Sequence, residues 1–155
     1  MLNLNEEVRR RAEKYFDDGY NCAQAVALSN IEVYNGRTEG IIQLTAGFGH
    51  GMNSGCACGA VTGGVVAIGA LLAGPDIKGF DRTIAKLTAE LHRRFVGEFG
   101  LTCCKGLRKK YSLLKNARCK KITVTTAAIT LELLLSQKAN INGAGHCTSA
   151  LNEPD

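Results

Sequence analysis

Apolar residues recur every three or four positions along most of this chain, and that period predicts a succession of helices. Leu4, Val8, Ala12, Tyr15 and Phe16 fall on one face of a first helix, with Arg9, Arg10, Glu13 and Lys14 turned to water. Asn3 or Asn5 caps its start and Gly19 ends it. Asn21 caps a second helix from Cys22 to about Val33, with Cys22, Ala25, Val26 and Ser29 on one side. Thr38 and Glu39 open a short third helix through about Ala46, with Ile41, Ile42, Leu44 and Thr45 as its apolar part. Further on, Ile84, Leu87, Leu91, Phe95 and Phe99 form the longest stripe, on a helix from Arg82 to Phe99 capped by Asp81 and closed by Gly100. Another helix begins at Thr102 or Cys103. A last one runs from Ile122 to about Gln137, with Val124, Ala127, Ala128, Leu131, Leu134 and Leu135 for the core.

The stretch from Ala46 to Gly74 breaks this amphipathic rhythm, since it contains no Lys, Arg, Asp or Glu. Its first half, Gly47 to Gly55, reads as a glycine-rich loop with too little side-chain restraint to hold a helix or strand. Its second half, Cys58 to Leu72, is small and apolar enough to be a helix buried on every side, and Gly74-Pro75 stops it. The uncharged run is long enough to span a bilayer. However, its Met-Asn-Ser-Gly-Cys-Ala-Cys-Gly beginning is hardly apolar, and its flanks lack basic or aromatic anchors. The expectation is an all-α, single-domain bundle of about six helices around a buried, Gly-rich central helix. Its cysteine-containing domain covers residues 1–139, a polar tail covers 140–155, and no membrane association is expected.

With 155 residues, one domain can bury a core without disulfide staples. Seven cysteines are many for packing alone, and the opening MLNLNEEVRRRAEKYF does not resemble a signal peptide. A cytoplasmic address is therefore expected, where cysteines serve as metal ligands or redox groups more often than as permanent disulfides. Cys56 and Cys58 stand where the loop feeds a helix. Cys22 lies in a first turn, and Cys103 and Cys104 mark a third helix start. Unpaired amides at such ends favour negative charge, so these thiols are expected to ionise more readily than an ordinary cysteine at about 8.5.

Other chemistry finds little support. GFGHGMNSG has neither the lysine-containing phosphate-loop pattern nor a preceding strand, and no hydrolase triad, paired carboxylates or zinc-hydrolase motif occurs. His50 reads as an exposed loop histidine, with a ligand or proton-donor role as the alternative. Between Lys105 and Lys121 lie eight basic residues and no acid, with Cys119 inside the run. This reads as a solvated face. Its alternatives are attraction of an acidic electron-transfer protein and stabilisation of thiolates at Cys104 and Cys119. Tyr111 is its only aromatic, which argues against nucleic acid.

Cys22 in GYNCAQAV, the loop GFGHGM, Cys58 in CGAVTGG, the pair in FGLTCC and Cys119 in ARCKKITVTTAAITLELL occur together in this order. The ordered set resembles a family of redox-active proteins named for its C-GCAxxG-C-C pattern and CGAxxG motif, over roughly Glu6 to Leu135. The resemblance implies four family cysteines, here Cys22, Cys58, Cys104 (or, with a one-residue shift, Cys103) and Cys119. Similar domains occur in split-Soret cytochromes, which implies an iron-sulfur or other metal centre on these four sulfurs. Cys58 and Cys22 would then be the reactive pair. Covalent haem is not implied, because no Cys-x-x-Cys-His is present. Cys56, Cys103 and Cys147 are additions to the pattern. Two alternatives remain at this point. One is a metal-free thiol–disulfide oxidoreductase or sensor, and the other a structural or transporter-associated bundle. A homodimer is compatible with any of the three.

Overall fold

A computed structural model of the chain describes residues 3–109 and 115–143. Among them are seven α-helices: α1 (Leu4–Asp17), α2 (Cys22–Val33), α3 (Ile41–Thr45), α4 (Gly59–Leu72), α5 (Arg82–Phe99), α6 (Cys104–Lys109) and α7 (Lys115–Gly143). The described residues hold no strand; one isolated antiparallel bridge joins Ala57 to Cys103. None of the described helices is long and apolar enough to cross a membrane. The all-α expectation holds. Cys147 and the rest of the expected tail beyond residue 143 lie outside the described residues, whereas residues 140–143 continue α7.

Side chains at the helix starts explain why these segments are helical. The Asn3 carboxamide oxygen accepts from the Asn5 amide at 3.0 Å, and the Asp81 carboxylate from the Ile84 amide at 2.8 Å. Asn21 and Gln24 form a reciprocal box, each side chain accepting from the other's backbone N–H, at 2.9 and 3.0 Å. These caps satisfy amides that the helices themselves leave unpaired.

Packing is built on α2 and α4, which lie against each other and are flanked by α1, α5 and α7. From Ala25 to Ile31 every residue of α2 is buried, because its alanines let neighbours approach from all directions. By contrast α4 is sealed only in part. Gly59, Ala60, Val61, Gly63, Gly64, Ala67 and Ile68 are buried, but Val65 is 40 % exposed. Its lack of charge reflects close backbone packing rather than enclosure on every side. The α5 stripe behaves as read: Leu87, Leu91, Phe95 and Phe99 are buried, and the Phe95 and Phe99 rings pack at 4.8 Å.

Two local readings are corrected. The segment 47–55 is not a formless loop. A 3₁₀ turn, Ala46–Phe48, is followed by a wide turn, Gly51–Gly55, with His50, Met52 and Asn53 in left-handed conformation. The turn is held by its own carbonyl, as Gly51 O accepts from the Cys56 amide at 3.0 Å and from the Ser54 hydroxyl at 2.9 Å. The last helix begins at Lys115, not at Ile122. Its basic first turns are anchored across the bundle, for Lys120 pairs with Asp17 at 2.7 Å and Arg118 lies over the Phe99 ring.

Candidate functional site

The four cysteines singled out by the family resemblance arrive from four elements. Cys22 is the first residue of α2, Cys58 the residue before α4, Cys104 the first of α6, and Cys119 lies in the second turn of α7. All four line one cavity of about 300 Å³. Leu107 and Ile122, both buried, give it apolar wall, while His50 and Arg108 stand at its polar side. Cys56 and Cys103 are exposed and do not line it.

Short backbone contacts fix this convergence. Segments 56–58 and 102–104 run antiparallel, the Cys58 amide donating to Thr102 O at 2.7 Å and the Cys104 amide to Cys56 O at 2.6 Å. The pairing sets Cys58 beside Cys104 in the cavity wall, and the Cys103 thiol points the other way, to Gly55 O at 3.4 Å. Gly51 is required here. Its φ is +63°, and a Cβ would stand 2.7 Å from both the Cys104 Cβ and the Cys56 nitrogen. Cys22 is brought in by α2. The Asn21 carboxamide donates to Thr45 O and Ala46 O at 3.3 and 3.2 Å, tying the start of α2 to the glycine turns. A Cβ on Gly59 would lie 3.3 Å from the Cys22 Cβ, so its absence lets the starts of α2 and α4 meet.

Burial sets the protonation of these thiols. The amides of Ala60 and Val61 favour a Cys58 thiolate, as the helix-start reading expects, but loss of hydration outweighs them and pushes the thiol up to about 12. Cys22, Cys104 and Cys119 are raised for the same first reason, burial. Nearby positive charge opposes this at two of them: Arg108 pulls Cys104 and Cys119 down, and Arg118 adds to it at Cys119. The expectation of readily ionised thiols is therefore corrected at Cys22, Cys58 and Cys104. Counting helix amides leaves out desolvation, which is the larger effect in a 6 % exposed side chain such as Cys58.

A stability consequence follows. The Cys58 thiol ionises near 9 in an unfolded chain and near 12 in the folded one, so above pH 9 the unfolded state sheds a proton that the native state keeps. Stability contributed by the buried thiol is complete below pH 9 and is lost as pH rises towards 12. Cys58 alone lowers the unfolding free energy by up to about 1.4 kcal/mol per pH unit in that window. Urea melts of reduced, metal-free protein from pH 8 to 10 are expected to show this fall; a flat profile would contradict the burial of the site.

The donor set suits a soft metal in kind. It is four sulfurs, and among the described residues lining the cavity there is no carboxylate. As placed, no three His, Cys, Asp or Glu side chains of the described residues form a ready-made ligand group. Arg108 belongs to the basic run read first as solvated and alternatively as stabilising thiolates at Cys104 and Cys119; it lines the cavity and donates to His50 Nδ1 at 3.4 Å. Thr123, fully buried on α7 and not singled out in the sequence, pulls the Cys22 thiol down against the larger effect of its burial. Spacing offers a partial signal for each: Arg108 is one turn from Cys104 and Thr123 one turn from Cys119.

No curated protein and no solved structure matches the chain. One family does match, over residues 20–133, a span that contains all four cavity cysteines. The chain thus belongs to the family described as "Putative redox-active protein (C_GCAxxG_C_C)".

Proposed function

We propose that this redox-active protein works as an electron carrier through an iron-sulfur or other soft-metal centre held by Cys22, Cys58, Cys104 and Cys119. The observation that supports this reading is the shared cavity: four thiols from four separate elements line one space of about 300 Å³. Such a centre supplies one-electron chemistry when bound. The chain's own residues do the rest. Their thiols are buried or half-buried and raised, so they carry little charge until a cation compensates it, and binding would release their protons to solvent. Arg108 contributes fixed positive charge beside Cys104 and Cys119, which favours the sulfur anions there. Apolar walls at Leu107 and Ile122 limit water on the inner side.

The same reading supplies a partner. Arg108 beside the cavity and the exposed Lys105 on α6 suit an acidic electron-transfer protein, within a reducing, cytoplasmic setting. The test is composition. Protein purified without oxygen, and without a metal-affinity column, is expected to carry iron and acid-labile sulfide in near-equal amounts, with visible absorption bleached by dithionite. Colourless, metal-free protein whose cavity thiols pair reversibly on mild oxidation would overturn the metal reading and leave thiol–disulfide chemistry in its place.

A further inference from the structure

The cavity is larger than its sulfurs require. A single ion held about 2.3 Å from each thiolate fills little of a space of about 300 Å³, which is the lower end of the range for small-molecule sites. Its lining has the make-up of such a site, with apolar walls at Phe16, Leu107 and Ile122 and polar groups at His50 and Arg108. Among the described residues no carboxylate lines this space, and none forms an ion pair with Arg108. The half-buried guanidinium therefore keeps its planar fork of donors open to an anion. His50 marks the corner as built. Its backbone is left-handed, at φ 51° and ψ 35°, and Gly51, Met52 and Asn53 continue with positive φ. Glycine adopts that conformation freely, whereas a residue with a Cβ is strained in it. What a side chain at position 50 supplies in return is the contact with Arg108, whose Nη1 donates to Nδ1 at 3.4 Å. Arginine can only donate, so Nδ1 accepts and the ring proton sits on Nε2. The pair is thus a set of N–H donors whose one acceptor is already used.

We propose that this side of the cavity binds a small organic carboxylate, its oxygens taken by the Arg108 guanidinium and its apolar body set against Phe16, Leu107 and Ile122, in the same space as the four sulfurs. The chemistry of the lining selects this class. A guanidinium matches a carboxylate with two parallel hydrogen bonds. One arginine balances one charge, whereas a phosphate dianion would leave a second charge facing apolar walls. Those walls in turn favour a ligand with a hydrocarbon or aromatic body over a bare anion. His50 acts as a positioning residue, holding the guanidinium at the cavity side through Nδ1. The site brings a hydrophobic acid beside the cysteines of a redox-active protein and so names a small-molecule class for the cavity, where Lys105 on the exposed face of α6 suits a protein partner. The inference rests on the reading of this cavity as the working site, and not on which metal it takes.

The experiment uses full-length protein, reduced and stripped of metal with a chelator, so that it is independent of the iron and sulfide measurement and each can fail alone. Benzoate, benzamide, acetate and inorganic phosphate are titrated in turn, and binding is followed through the backbone amides by NMR. Benzoate should shift the amides of residues 50–58 and 104–108 saturably, with a Kd of about 1 mM or below. Benzamide has the same body without the charge, and acetate the same head group without the body; each should bind at least about tenfold more weakly. Arg108→Gln should weaken benzoate about tenfold or more and melt as wild type does, since the side chain is half-exposed and pairs with no carboxylate of the described residues. His50→Gly should weaken it about fivefold, yet its melting temperature should equal or exceed that of wild type, because glycine relieves the left-handed backbone. If Arg108→Gln should fail to fold, His50→Gly and the wild-type ligand series carry the comparison. Benzoate that does not saturate, benzamide that binds equally, phosphate that binds more tightly, or an unchanged affinity in folded Arg108→Gln would each overturn the proposal. Acetate binding as tightly as benzoate would overturn it as well, and would assign Arg108 to a carboxylate side chain of a partner protein.

Discussion

Cys58→Ser is expected to abolish the proposed metal centre while leaving the metal-free bundle as stable as wild type to within about 1 kcal/mol. The two halves of this result have separate causes. Cys58 occupies the N-cap of α4, with φ −58° and ψ 131°, and no side-chain cap hydrogen bond closes there. Serine is among the preferred N-cap residues, so a hydroxyl can accept from the amides of Ala60 or Val61 that now face sulfur. Its hydrogen bonding offsets the cost of burying a more polar group, and the Cys58 amide bond to Thr102 O belongs to the backbone and stays. The metal side has no such compensation. A hydroxyl is a poor, hard ligand for a soft ion, and the loss of affinity should exceed the ~10–100-fold cost of removing an outer hydrogen-bond partner. Iron and sulfide assays beside thermal melts check both halves. Cys56→Ser and Cys103→Ser serve as controls, since both residues are exposed and outside the cavity lining, and these variants are expected to keep their iron. Retention of iron by Cys58→Ser, or equal losses in all three variants, would mean that the cavity is not the metal site. The alkaline profile offers an independent check: the Ser variant should lose stability less steeply above pH 9, because the most strongly raised thiol is gone.

The features legible in the sequence share a physical character: each is decided within a few residues. The Asn21 cap, the α5 stripe and the Gly100 stop depend on contacts along one helix, and the structure shows them as read. The four cysteines were legible as a set only through the family pattern. Which cysteine of the Cys103-Cys104 pair faces inward is decided by the antiparallel pairing of 56–58 with 102–104, a contact between segments more than forty residues apart. The left-handed residues of the turn were invisible because His50, Met52 and Asn53 are not glycine; Gly51 and the carbonyl it offers impose the shape on them. The start of α7 was missed because Lys115 to Lys121 offers no apolar stripe, and Asp17 on α1 supplies the anchor for Lys120 instead. The direction of the thiol shifts was misread for a similar reason. A helix start can be read locally, whereas the burial of Cys58 depends on α2, α6 and α7 closing over it.

Gly63→Ala and Gly69→Ala, two identical changes on the same helix, should move stability in opposite directions. In an exposed helix interior the change gains up to about 1 kcal/mol, because alanine restricts the unfolded chain and suits the helix. Gly69 meets that condition: a Cβ there finds nothing within 4 Å. Gly63 faces the backbone of α2. A Cβ would stand 2.4 Å from the Ala23 carbonyl oxygen, 2.8 Å from its Cα and 3.0 Å from its carbonyl carbon. No rotamer relieves a clash with main chain, so α2 and α4 must separate along a seam where Ala23, Ala27 and Ala67 are all fully buried. Overpacking of this kind costs about 1–3 kcal/mol and more where the backbone cannot yield, and the helix-propensity gain recovers only part of it. A net loss of about 2 kcal/mol corresponds to a fall of roughly 4–8 °C in melting temperature for a chain of this size, against a rise of about 2–4 °C for Gly69→Ala. The damage also reaches the site. Ala23 follows Cys22, so moving α2 off α4 draws Cys22 away from Cys58, and metal retention should weaken in Gly63→Ala although no cysteine has changed. Melting curves and iron content of the two variants, measured side by side, test this. Equal and small effects at both positions would show that the helices are not in the contact on which the cavity depends.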